Sequence, residues 1–190
     1  MVLLLMCFSV SGCLSTLPSE KSHYYHLVAP DLPNRTIEPG STEVIMIGPV
    51  TLADYLNRTS VTLVKSASEY DFSDLDMWAG KLDNEIQLAM MKHLSQLEPE
   101  RVIIGYPWIS DIKPQYQLRI DILRFDAKPG DQAKLQGSWF LFDKNNRLLK
   151  GSHFTAATDA GADYAQTVVA MSQLVAEMAT QIQQALPAHE

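Results

Sequence analysis

The chain has 190 residues, of which 46% are hydrophobic and 19% charged, and it carries a formal net charge of −7. That length supports one domain with a sizeable core, and the composition is that of an ordinary globular fold. An acidic chain with no Lys/Arg cluster is a poor nucleic-acid binder, and without an anchor it is repelled by anionic lipid surfaces.

The first nine residues, Met1 to Ser9, are apolar and uncharged, and Val10-Ser11-Gly12-Cys13 follows. The run is too short to span a bilayer, which takes about 20 apolar residues, and it is expected to be a removable export signal over residues 1–12. No Lys or Arg precedes it, a departure from the usual signal. The small side chains of Ser11 and Gly12 suit a membrane-embedded peptidase, and Cys13 supplies the thiolate for a lipid thioether. The stretch resembles the lipobox of bacterial lipoproteins, with Val10 in the place of the usual Leu. Cys7 leaves with the signal and Cys13 is consumed by lipidation, so neither a free thiol nor a disulfide is expected afterwards. Leu14 follows the lipidated residue. In Gram-negative lipoproteins Asp at that position retains the protein in the inner membrane, so Leu14 implies an outer-membrane anchor facing the periplasm.

Residues 13–22 read as the lipidated end and a flexible tether, whose nine residues after Cys13 reach about 30 Å when extended. Residues 23–190 are expected to form one folded domain. His23 to Val28 predicts a first strand, and residues 29–40, with three prolines and a glycine, predict a loop. Glu43 to Val50 predicts a buried strand ending at Gly48-Pro49, Leu52 to Leu56 a helical turn, and Ser60 to Ser66 another strand. Ser73-Asp74 then reads as a helix start, with Asp76 in the first turn. Leu75, Trp78, Leu82, Ile86, Met90, Leu94 and Leu97 give an apolar stripe at steps of three and four, which Pro99 ends.

Arg101 to Trp108 predicts a strand and Tyr116 to Phe125 a longer one. The alternation Tyr116, Leu118, Ile120, Ile122 changes phase at Leu123 and Phe125, which predicts a bulge. Turns at Lys128-Pro129-Gly130-Asp131 and Asp143-Lys144-Asn145-Asn146 separate strands at 134–142 and 147–157. A last helix is expected over 163–186. These elements predict an α+β fold: a single domain, a largely antiparallel sheet, and two long helices packed on one face. Between Tyr164 and Leu186 the only charge is Glu177. The outer face of that helix is either covered by another subunit or protein, or is a solvated Gln-rich face.

No catalytic constellation stands out. There is no Gly-x-Ser-x-Gly elbow and no phosphate-binding glycine loop. His23, His26, His93, His153 and His189 form no zinc-type pair, and no metal or cofactor is expected. Asp111, Asp121 and Asp126 read as solvent-face residues beside strands. Asn34-Arg35-Thr36 and Asn57-Arg58-Thr59 match a three-residue glycosylation pattern that arises often by chance.

One ordered set is more specific. Tyr25-His26-Leu27 lies in the first strand. Gly48-Pro49-Val50 follows, then Leu52, Tyr55, Leu56 and Arg58, and then Trp78-Ala79. With the lipobox, the tether and the long final helix, the chain resembles the ABC-type transport auxiliary lipoprotein family over essentially its whole mature length. The resemblance implies a non-enzymatic accessory of a mammalian-cell-entry (MCE) type lipid transport system, docking its tube under the outer membrane. The implied partners are an MCE-type periplasmic protein and its membrane permease, with the outer membrane reached through the anchor and a homo-oligomer as a further possibility. Tyr55, Leu56 and Trp78 read as core or interface anchors. Arg58 either pairs with a partner carboxylate or lies in solvent. The alternatives are a structural lipoprotein of another envelope assembly and a periplasmic lipid or small-molecule carrier.

Overall fold

The computed structural model describes residues 20–34, 36, 43–107 and 112–188. The signal, Cys13, Leu14 and most of the tether lie outside these residues, as do Trp108 and Asp111. The elements are β1 (His23–Tyr25), β2 (Val44–Leu52), a 3-10 turn (Asp54–Leu56), β3 (Ser60–Ser66), β4 (Glu69–Trp78) and α1 (Leu82–Leu97). They continue with β5 (Val102–Gly105), β6 (Tyr116–Ala127), β7 (Gln132–Asp143), β8 (Leu148–Asp159) and α2 (Tyr164–Gln183).

The fold is α+β, as expected. All eight strands form one mixed sheet. Most paired residues lie in the antiparallel ladders β3–β4, β6–β7 and β7–β8. The β1–β4, β2–β5, β2–β6 and β3–β6 pairings are parallel. Strand β6 is the hub. One edge carries β7, and the other pairs with β2 along most of its length and then with β3 through Leu63 opposite Ala127. The sheet therefore forks where β2 ends, and the 3-10 turn fills the fork.

The core lies between the sheet and the two helices. Ile45 and Ile47 of β2 and Leu118, Ile120 and Phe125 of β6 are fully buried against Ile86, Met90 and Leu94 of α1 and Met171, Val175 and Met178 of α2. Each such side chain contributes about 1.5–3 kcal/mol of burial. The phase change in β6 is a bulge between Ile122 and Arg124, and it turns Leu123 out to solvent while Phe125 returns to the core.

The first strand, expected to reach Val28, stops at Tyr25, so His26 and Leu27 lie beyond it, and two further boundaries differ in ways that shape the site. Gly48-Pro49 does not end β2. It forms a bulge between Ile47 and Val50, and the strand resumes to Leu52. Gly48 sits at φ +111°, where a Cβ would meet Gln87 Oε1 at 2.8 Å, and the Gly48 carbonyl accepts from Gln117 Nε2 at 2.9 Å.

The second correction is larger. Ser73 to Trp78 belongs to β4, and α1 begins only at Leu82. Ser73 does behave like a helix cap: its Oγ accepts from the amides of Leu75 and Asp76 at 3.1 and 2.9 Å. That local turn is a bulge. The β3–β4 register passes from Thr62 opposite Phe72 to Ser60 opposite Met77. Trp78 stands four residues before Leu82, so a strand-end residue falls in step with the helical stripe.

After β1 the chain leaves the sheet and runs over the helices. The Leu27 amide donates to Glu85, the Val28 amide donates to Ser172 Oγ at 2.9 Å, and Gln96 Nε2 donates to the Asp31 carbonyl at 2.8 Å. This strap covers part of α2, which accounts for some of its missing charge within the chain itself. A buried ion cluster closes the far end. Arg101 is 1% exposed, 2.7 Å from Glu43 and 2.9 Å from Glu98, and it donates to the Pro187 carbonyl.

Candidate partner-binding site

The residues of the Leu52–Arg58 motif converge on the fork in the sheet. Ala53 anchors the 3-10 turn through its amide, which donates to Ile122 O at 2.9 Å, and the Leu56 amide donates back to Ala53 O. Leu56, 1% exposed, plugs the fork from inside. The Trp78 amide donates to Thr59 O at 2.7 Å, which ties the end of β4 to the same turn. Trp78 is 3% exposed and stacks on Phe125 with ring centres 6.4 Å apart. Its indole Nε1 has no hydrogen-bond partner among the described residues. Leaving such a donor buried and unpaired costs about 1–3 kcal/mol.

Tyr55 and Arg58 point elsewhere. Tyr55 stacks on Tyr70 at 4.6 Å, Tyr70 adjoins Phe72 at 6.2 Å, and the Arg58 guanidinium lies 4.1 Å over the Phe72 ring. Tyr70 and Phe72 are two apart in β4 and share a face. The result is a strip of three aromatic rings ending in a cation, with Arg58 and Tyr70 exposed.

Beneath it is Asp126, which is not a solvent-face residue: it is 1% exposed. Arg124 Nε lies 2.9 Å from both its oxygens, and the Tyr55 hydroxyl donates to Oδ2 at 3.2 Å. Burial, then the hydrogen bond with Tyr70 and the Asp126 charge, hold the Tyr55 phenol well above its usual range. It stays neutral and serves as a donor.

The four sequence-selected residues therefore divide. Leu56 and Trp78 are core residues whose edges floor a groove. Tyr55 is half-buried, and Arg58 is exposed. Tyr70 and Phe72 were missed, although the alternation Tyr70-Asp71-Phe72 is a strand signal. On the other side of the turn, the groove runs between Asn57–Thr59 and Ala79–Asp83, with a volume of about 460 Å³.

A second polar cluster lies where the chain enters the sheet. Asp76 accepts from Tyr25 Oη at 3.0 Å and from Ser73 Oγ at 2.8 Å, and His23 Nδ1 lies 3.3 Å away. Burial and Asp76 push the Tyr25 phenol up to about 12. Among the described residues no three His, Cys, Asp or Glu side chains gather as metal ligands, and no helix is long and apolar enough to cross a membrane.

The model of the ABC-type transport auxiliary lipoprotein component matches residues 25–183. The chain belongs to that family. Within it, the intermembrane transport lipoprotein PqiC of Escherichia coli (strain K12) is 23% identical over 141 residues, covering 74% of this chain and 72% of PqiC. The fold recurs in solved structures. A crystal structure of an uncharacterized protein superposes with a TM-score of 0.73 at 21% identity, covering 88% of this chain and all of the other. A protein from Xanthomonas campestris gives 0.68 at 16% identity, covering 85% and 93%. The family match runs from the last residue of β1 to the end of α2, so the fork, the aromatic strip and the groove all lie within the matched region.

Proposed function

We propose that this protein is an outer-membrane-anchored, non-enzymatic accessory of an intermembrane lipid transport system. Cys13 carries the lipid, residues 13–22 form the tether, and the folded domain from residue 23 docks an MCE-type periplasmic protein and, through it, the permease. The observation that carries this reading is membership of the auxiliary lipoprotein family, supported by the likeness to an intermembrane transport lipoprotein.

The docking surface we assign is the strip of Tyr55, Tyr70 and Phe72 with Arg58 at its end. Exposed aromatic and arginine side chains held rigid by stacking are the usual anchors of protein interfaces. Copies of the domain also associate, by this reading. Among the described residues strand β8 pairs only with β7, which leaves its other edge without a strand, and Leu148 and Leu149 are exposed on β8. An open edge is a template for pairing with a second chain.

The anchor is tested by labelling cells with radioactive palmitate and separating the two membranes. Label on the wild-type protein in the outer-membrane fraction, and none on C13A, is the expected result. An unlabelled wild-type protein, or one confined to the inner membrane, contradicts the assignment.

A further inference from the structure

On a chain of net charge −7, residues 24–34 and 164–183 hold only two Asp, Glu, Lys or Arg side chains, Asp31 and Glu177. These two segments lie against each other. Tyr25 stacks on Tyr164 with ring centres 6.3 Å apart, and the Val28 amide donates to Ser172 Oγ. Val169, about one turn before Ser172 on the same side of α2, is 46% exposed. Further along the strap Val28 is 52% and Leu32 50% exposed. Single exposed apolar residues are ordinary. Three on one side of the molecule, where charge is almost absent, mark a contact surface.

The chain before the first described residue shows what lies near that surface. Glu20 and Lys21 line one cleft with Asp163, Tyr164 and Ala165 at the start of α2. Seven residues separate Cys13 from Glu20, and extended they span at most about 25 Å. Helix α2, with 20 residues, is about 30 Å long. A lipid on Cys13 therefore holds one end of the weakly charged side within a short tether of the bilayer.

We infer that the side formed by α2 and the strap rests on the phospholipid surface that holds the anchor, with Val28, Leu32 and Val169 at the boundary between headgroups and acyl chains. This rests on the lipid anchor at Cys13 proposed above. Charge selects the side: an acidic domain is repelled by an anionic leaflet, and here the least charge has to approach it. Glu177 lies eight residues beyond Val169, about 12 Å along the helix. The orientation also suits the docking strip. Helix α2 packs on the sheet face that carries Phe125, whereas Tyr55 and Asp126 meet on the other face. With α2 on the membrane, the strip points into the periplasm, toward a partner arriving from the inner membrane.

The test uses the full-length lipoprotein in vesicles of phosphatidylethanolamine and phosphatidylglycerol. Cys7 leaves with the signal and Cys13 is blocked by lipid, so V28C, L32C and V169C each offer one free thiol to an NBD fluorophore. K144C, in the turn after β7, is the control. All four positions are exposed, so the variants are expected to keep the wild-type melting curve. Part of the phosphatidylethanolamine is then replaced by phosphatidylcholine with a doxyl quencher near the top of its acyl chain. Residues at the headgroup–acyl boundary meet that quencher, so the labels at 28, 32 and 169 should lose emission about twofold or more and the label at 144 none. Lipidated, vesicle-bound protein whose three labels are quenched no more than the control overturns the proposal and leaves the anchor standing. Labels equally blue-shifted in detergent micelles and in vesicles, without doxyl quenching, would place a second copy on this side and overturn it as well. A wild-type protein that carries no lipid and does not float with the vesicles removes the anchor, and this proposal with it.

Discussion

The hydroxyl of Tyr55 donates to Asp126 Oδ2 at 3.2 Å, directly above the Arg124–Asp126 ion pair. This contact fastens the 3-10 turn to β6, and it sets Tyr55 for its stack on Tyr70. The exposed strip is thus held from below by a buried carboxylate.

Removing that hydroxyl is expected to be costly but survivable. Y55F loses one hydrogen bond while Arg124 still holds Asp126, for a loss of about 1 kcal/mol. The urea midpoint should fall with an unchanged slope. D126A, which strips both partners of their acceptor and leaves Arg124 unpaired, should cost clearly more in the same measurement.

Arg101 gives the steepest stability prediction. It is buried between Glu43 and Glu98 and also holds the chain after α2 through Pro187 O. R101M leaves two carboxylates facing each other without their cation and is expected to cost about 3–5 kcal/mol. Equilibrium unfolding checks it; a loss below about 1 kcal/mol would show that the cluster contributes little.

His93 predicts a pH dependence. Burial lowers its pKa in the folded protein, and its Nε2 has no partner among the described residues. The unfolded chain therefore takes up this proton first as pH falls. The His93 contribution to stability is complete above the ordinary histidine value of about 6.5 and is lost as pH drops below it toward the folded value. The urea midpoint of the wild type should decline from pH 7 to pH 5, and H93F should flatten that decline.

The α+β class, the bulge in β6 and most of the apolar stripe of α1 were legible because each rests on local periodicity. The interior of α1 read correctly from Leu82 to Leu94, while Leu97, expected to close the stripe, is exposed. Its start did not, because Ser73 makes the same amide contacts in a strand bulge that a cap makes at a helix end, and Trp78 falls in phase with the stripe. Asp126 illustrates a different limit. It sits on the sheet face away from Phe125, which alternation assigns to solvent. Tyr55, far off in sequence, covers that face, and no local pattern reports a contact of that range. Of the candidate site, Tyr55 and Arg58 were found through the family motif, while Tyr70 and Phe72 depended on reading residues 69–78 as a strand.

Arg58 and Tyr70 separate docking from folding. Both are exposed, so R58A and Y70A should each change stability by no more than about 1 kcal/mol. If the strip is the interface, each should lower recovery of the transport partner about tenfold or more, as loss of an interface anchor does. L148K on the open edge of β8 should instead lower the mass of the assembly measured by light scattering.

The central claim is docking to a transport system, and its most direct test is affinity capture of the full-length lipoprotein from crosslinked envelope membranes. Mass spectrometry should recover an MCE-type periplasmic protein together with its permease, and the yield should collapse in R58A. Absence of both, from cells shown to express that transport system, would contradict the account and favour another envelope assembly or a carrier role.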